Sequence, residues 1–174
     1  MIKEPGIIQF EVEDVTRKHT EQSVWKKTAM VMLSGDICQY YAWFLKKRYR
    51  IILNKPLRGP HISFINDRFS EMNHAQATEE ENILIWEQVK QNHDGKEIIV
   101  TLSIEPRSNG KHWWLNIPEE YRSELQGIRN ELGLDRPFSG LHLSLGYCAS
   151  EKNILHSQYI HKLLTRPMGF DTGL

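Results

Sequence analysis

Apolar residues along this chain fall into short runs of two spacings, alternating and helical, separated by Gly- and Pro-containing breaks. Thr28 to Leu33 is β-branched and aliphatic and predicts a strand. Ser34-Gly35-Asp36 breaks it and supplies an N-cap. Ile37, Tyr41, Phe44, Leu45 and Arg48 then recur at helical spacing. Lys46, Lys47 and Arg48 close that helix, where cations suit the dipole. Ile51 to Leu53 reads as a short strand or an extended connection. Pro56 and Pro60 bracket a loop, and His61-Ile62-Ser63-Phe64-Ile65 alternates as a strand.

Beyond a loop over 66–78, Glu79 to Gln91 predicts a helix with three Glu in its first turn. Ile98 to Glu105 predicts a strand, Pro106 to Gly110 a hairpin turn, and His112 to Ile117 its partner. Pro118-Glu119-Glu120 opens a helix whose apolar stripe is Tyr121, Leu125, Ile128 and Leu132, with Gly133 ending it. Leu141 to Leu145 follows Pro137 as another alternating strand, and Glu151 to Leu164 reads as a helix. The tail after Pro167 is left open. Residues 1–27 are mostly polar and read as an N-terminal extension, with Ile7 to Val12 able to add an edge strand; the ordered core is expected to begin near Lys27.

Two stretches match when laid side by side. Thr28–Leu33, Asp36–Arg48 and His61–Ile65 form a strand–helix–strand unit, and so do His112–Ile117, Pro118–Leu132 and His142–Leu145. Each copy ends in His-x-Ser, as His61-Ile62-Ser63 and His142-Leu143-Ser144, and none of the other histidines has Ser or Thr two positions on. Strand side chains point to opposite faces in turn, so each His shares a face with its Ser. If the two units pack about a pseudo-twofold, both His-Ser faces meet across one groove.

The paired His-x-Ser strands, each preceded by a helix, resemble the 2H phosphoesterase superfamily, which includes 2′-5′ RNA ligase-like proteins and cyclic phosphodiesterases. The resemblance covers roughly residues 28–148. It implies an α+β class and a bilobal fold, with two pseudo-symmetric lobes whose antiparallel sheets flank a central cleft. It also implies phosphodiester cleavage or cyclic-phosphate opening without metal, with His61 and His142 as the acid–base pair and Ser63 and Ser144 holding phosphate oxygens. His-Leu-Ser-Leu-Gly, 142 to 146, continues as 2′-5′ RNA ligase-like members commonly do; where those often have Arg next, this chain has Tyr147. The chemistry suits the residues, because two imidazoles with pKa about 6.5 supply a base and an acid near neutrality.

Three further residues are candidate substrate contacts. Trp114 alternates with the core-facing Trp113, so it either stacks on a base in the cleft or packs beside the hairpin. Tyr147 follows the second motif. Arg58, three residues before His61, either reaches a phosphate or belongs to the solvated basic stretch that starts at Lys46. The expected substrate is a short RNA-like or cyclic oligonucleotide, and short viral members of the superfamily that destroy cyclic-nucleotide immune signals fit a chain of this size. Two alternatives stand beside that reading, processing of 2′,3′-cyclic RNA ends and a non-catalytic RNA-binding module.

Composition narrows the partners. The 22 basic and 22 acidic residues of this 174-residue chain cancel, which argues against coating long duplexes. The length fits one domain, with a C-terminal helix and tail over 149–174. Neither a metal-binding spacing of His and Cys nor a phosphate-binding Gly-rich loop occurs, so no metal and no cofactor are expected. Cys38 and Cys148 read as free thiols rather than one disulfide. With no apolar run near 20 residues, no membrane contact is expected. A cytoplasmic monomer is, within a host cell if the chain is viral.

Overall fold

The computed structural model describes residues 1–11, 26–56, 58–68, 78–134 and 140–165. Over these residues it is an α+β structure of two four-stranded antiparallel sheets and four α-helices. The first sheet has the order β4-β2-β1-β5, from β1 (Ile2–Phe10), β2 (Lys26–Leu33), β4 (His61–Arg68) and β5 (Glu97–Leu102). The second has the order β3-β8-β7-β6, from β3 (Leu53–Asn54), β6 (Arg107–Ser108), β7 (His112–Asn116) and β8 (His142–Cys148). The helices are α1 (Asp36–Tyr49), α2 (Glu79–His93), α3 (Ser123–Glu131) and α4 (Glu151–Thr165). No described helix is long and apolar enough to cross a membrane.

Most of the expected elements form, and the caps explain their ends. Helix α2 opens on a capping box, in which Thr78 Oγ1 accepts from the Glu81 N–H and the Glu81 carboxylate accepts from the Thr78 N–H. At the start of α1 no side chain caps the helix, so Asp36 serves as a first-turn acid rather than as a hydrogen-bonding cap. The helix expected from Pro118 is split into a 3-10 turn over Glu119–Tyr121 and then α3. The split turns Tyr121 away from the stripe, so Leu125, Ile128 and Leu132 are buried while Tyr121 is 47% exposed.

Two expectations are corrected. The segment before Lys27 is not an extension with an edge strand, because β1 runs from Ile2 between β2 and β5 and buries Ile8 and Phe10 in the core. Gly6 lets it lie there, since a Cβ would sit 2.5 Å from Val31 Cγ1 and 2.8 Å from Leu33 Cδ2. Nor do the strands at 98–105 and 112–117 form a hairpin. β5 pairs with β1 in the first sheet, whereas β7 takes β6 and β8 as neighbours in the second. Burying Ile98, Val100 and Leu102 beside β1 outweighs the local turn. Residues 12–25, 69–77, 135–139 and the tail from 166 lie outside the described residues, and with them much of the expected 66–78 loop and the segment around Pro137.

The two His strands pair with their neighbours in matching register, although β3 intervenes between α1 and β4 in the first unit. Met32 pairs with His61 and Met30 with Ser63, as Asn116 pairs with His142 and Trp114 with Ser144. Each His strand then carries a β-bulge three residues past its His, at Phe64 and at Leu145, before Thr28 pairs with Asn66 and His112 with Tyr147. At each bulge the residue count slips by one, so Asn66 and Tyr147 return to the face that carries His and Ser. The helices are exchanged between the sheets. α1, which links β2 to β3, packs chiefly against β8, and α3, which links β7 to β8, packs against β4.

Gly146 follows the second bulge at φ +144, and a Cβ there would run into the Asn54 carbonyl on β3. Gly146→Ala is therefore expected to cost about 1–3 kcal/mol. A fall in the urea midpoint at unchanged slope would show this, and an unchanged midpoint would mean that β3 can simply move aside.

Candidate active site

β4 and β8 pack against each other where the two sheets meet. The His-bearing part of β8 has only β7 as a ladder neighbour, because β3 reaches no further than Tyr147 and Cys148. On the inner face of both sheets lie Ile8, Val31, Ile62, Phe64, Leu115, Leu143 and Leu145, all in the core and covered by helices. The opposite face of β4 and β8 carries His61, Ser63, His142 and Ser144, with Ser63 exposed and the other three half-buried. The alternation read from the sequence places all four on one side, as expected, and the packing of the two strands places them together.

The two imidazoles are held alike. His61 Nδ1 lies 2.8 Å from the Gly59 carbonyl, and His142 Nδ1 lies 2.7 Å from the Gly140 carbonyl. A carbonyl oxygen only accepts, so in each ring Nδ1–H donates. Nε2 is then the nitrogen left for chemistry in both rings, as a lone pair when the ring is neutral and as an acid when it is charged. Burial pushes the His61 pKa below the ordinary imidazole value. The Gly59 hydrogen bond opposes that, while the charges of Arg58 and His142 add to the depression. His61 is thereby poised to be the neutral partner of the pair.

The other candidates take up places around these rings. The Trp114 indole lies 5.9 Å from the His142 ring, tilted by 56°, and its Nε1–H donates to Asn116 Oδ1 at 2.9 Å. Trp113 is the core-facing neighbour, 1% exposed, with its Nε1–H on Ser157 Oγ. Tyr147 shares the His142 face by way of the bulge and lies 6.3 Å from the His112 ring. Arg58 is half-buried, with Nη1 3.9 Å from Met30 Sδ, and its charge acts on His61. Cys38 and Cys148 are free and buried, away from this face, and burial raises both thiols above their ordinary pKa. Among the described residues no cluster of three or more His, Cys, Asp or Glu has the arrangement to hold a metal.

Sequence reasoning missed Asn66 and Arg107, which the register places, together with Asn116, on the same face as the histidines. Asn66 and Tyr147 occupy matching positions only because of the bulges. Phe64-Ile65 and Leu145-Gly146 were the available signal, since each interrupts strict alternation with two successive inward residues. Arg107 sits on a strand of two residues, too short to carry any periodicity.

Set against protein-family models, curated proteins and solved structures, the chain matches none of them.

Proposed function

We propose that the chain is a metal-independent phosphodiesterase of the 2H type, acting on a short RNA-like or cyclic oligonucleotide in the groove where β4 and β8 meet. The observation that carries this reading is the matched pair of Nδ1–H bonds to Gly59 and Gly140, which leaves one Nε2 on each His strand for proton transfer. Structural histidines have no need to share a tautomer, a rung and a neighbouring bulge. The register-level repeat and the common His-Ser face support the 2H bilobal arrangement as well.

In this mechanism the phosphodiester lies between the two rings. His61 Nε2 takes the proton from a water or from the neighbouring 2′-OH, whose oxygen forms a new bond to phosphorus. His142, charged, gives its Nε2 proton to the leaving oxygen as the old P–O bond breaks. The depressed His61 pKa supports this division of roles. Ser63 and Ser144 hydroxyls donate to the non-bridging oxygens, where negative charge builds in the transition state.

The test is a product screen by mass spectrometry on cyclic dinucleotides, 2′–5′ and 3′–5′ oligoadenylates and 2′,3′-cyclic-phosphate RNA ends, in EDTA. Cleavage of at least one substrate is expected from wild type and none from the His61→Ala/His142→Ala protein. Activity that survives both substitutions, or that vanishes on chelation, would overturn the two-histidine mechanism. Binding that tightens with RNA length, without any product, would favour an RNA-binding module instead.

A further inference from the structure

The two halves match rung for rung, so the places where their side chains differ show how the groove treats its two ends. On the first sheet the rung that begins at Ser63 continues through Met30 to Gln9. On the second, the matching rung begins at Ser144 and continues through Trp114 to Arg107. The two rungs leave the groove in opposite directions, because β4 and β8 are the strands that meet. One direction offers a buried thioether, against which the Arg58 guanidinium lies, and a neutral amide. The other offers an indole and a guanidinium.

Each part of the second rung is suited to a nucleotide. The Trp114 ring is pinned by its bond to Asn116, and its tilt of 56° to His142 leaves an indole face that the imidazole does not cover. Aromatic faces stack bases of any identity. Arg107 is exposed, leaves the sheet on the same face as Trp114, and forms no ion pair with a described residue. A guanidinium fork matches two phosphate oxygens at once. From Ser144 to Arg107 is two strand spacings, about 10 Å, so Arg107 lies beyond the scissile phosphate and not upon it.

We propose that Trp114 and Arg107 form a second subsite, in which Trp114 stacks the base next to the scissile phosphate and Arg107 holds the following phosphate. The substrate then carries at least two phosphates, as a linear or cyclic oligonucleotide does and a nucleoside 2′,3′-cyclic monophosphate does not. It enters with its extended part across β7 and β6. This assignment rests on the phosphodiesterase reading of the same groove, but it concerns binding and is separable from turnover.

Titration calorimetry on the His61→Ala/His142→Ala protein, which cannot turn substrate over, tests it directly. The ligands are 5′-phosphorylated 2′–5′ and 3′–5′ diadenylates, cyclic diadenylate and adenosine 2′,3′-cyclic monophosphate. Adding Arg107→Gln is expected to weaken the two-phosphate ligands about tenfold more than the cyclic monophosphate, and Arg107→Lys to lose only part of that. Trp114→Leu is expected to weaken all of them by about tenfold. The linear and cyclic arms show which form the groove prefers. Equal losses for one and two phosphates, or no binding of any two-phosphate ligand, would overturn the subsite. If wild type cleaves but Arg107 is indifferent, the subsite falls and the phosphodiesterase stands. If Arg107 controls binding while wild type cleaves nothing, the reverse holds.

Discussion

Arg129→Ala is expected to cost about 3–5 kcal/mol of stability. Arg129 lies on α3 and is 1% exposed. Its Nη1 donates to Asp67 Oδ2 at 2.8 Å and to the Phe64 carbonyl at 2.6 Å, and Nη2 donates to Asp67 Oδ1 at 3.3 Å. Asp67 is itself buried, on β4. Truncating the arginine leaves a buried carboxylate without its cation and a bulge carbonyl without its donor. Both penalties fall on the strand that carries His61. Removing both charges together, as Arg129→Met with Asp67→Leu, should recover most of the loss, because hydrophobic replacement of a buried ion pair is often close to neutral. Urea unfolding of the three proteins measures this. A loss below 1 kcal/mol for Arg129→Ala would mean that the clamp contributes little to holding α3 on β4.

His61→Ala and His142→Ala are each expected to lower kcat by about 10²–10⁴-fold on whichever phosphodiester the protein cleaves, while leaving the fold intact. The double variant should be little worse than the poorer single one, since acid and base act on one transition state and their losses do not add. Independent, multiplying losses would argue against a concerted pair. The pH dependence separates the roles. As pH rises, the rate should climb while His61 loses its proton, with the midpoint below the ordinary value of about 6.5, and a two-histidine mechanism then makes it fall at higher pH, where the general acid is no longer protonated. In His142→Ala the fall at high pH should disappear and the climb remain. A climb that disappears instead would exchange the acid and the base.

How much of this was legible in the sequence depends on the range of the interactions involved. The strands around His61 and His142 and helices α1, α2 and α4 follow from spacings within a few residues, and those elements form. The shared face of each His and Ser follows from the same short-range alternation. The Nδ1 bonds to Gly59 and Gly140 span only two residues, yet no pattern of apolar positions announces them. The pairing of β5 with β1 joins residues far apart in sequence, and Pro5-Gly6 in β1 looks like a turn until Val31 and Leu33 are seen to need the missing side chain. Arg107 was illegible for the same reason. Its meaning comes from standing across from Trp114, and pairing partners are not written in either strand alone.

The exchange of helices ties the two sheets into one cooperative unit. With α1 seated against β8 and α3 against β4, each strand–helix–strand unit lends its helix to the core of the other. Partial opening of one sheet therefore strips the helix from the other. Amide protons on β4 and β8 should exchange with solvent only through a common global event.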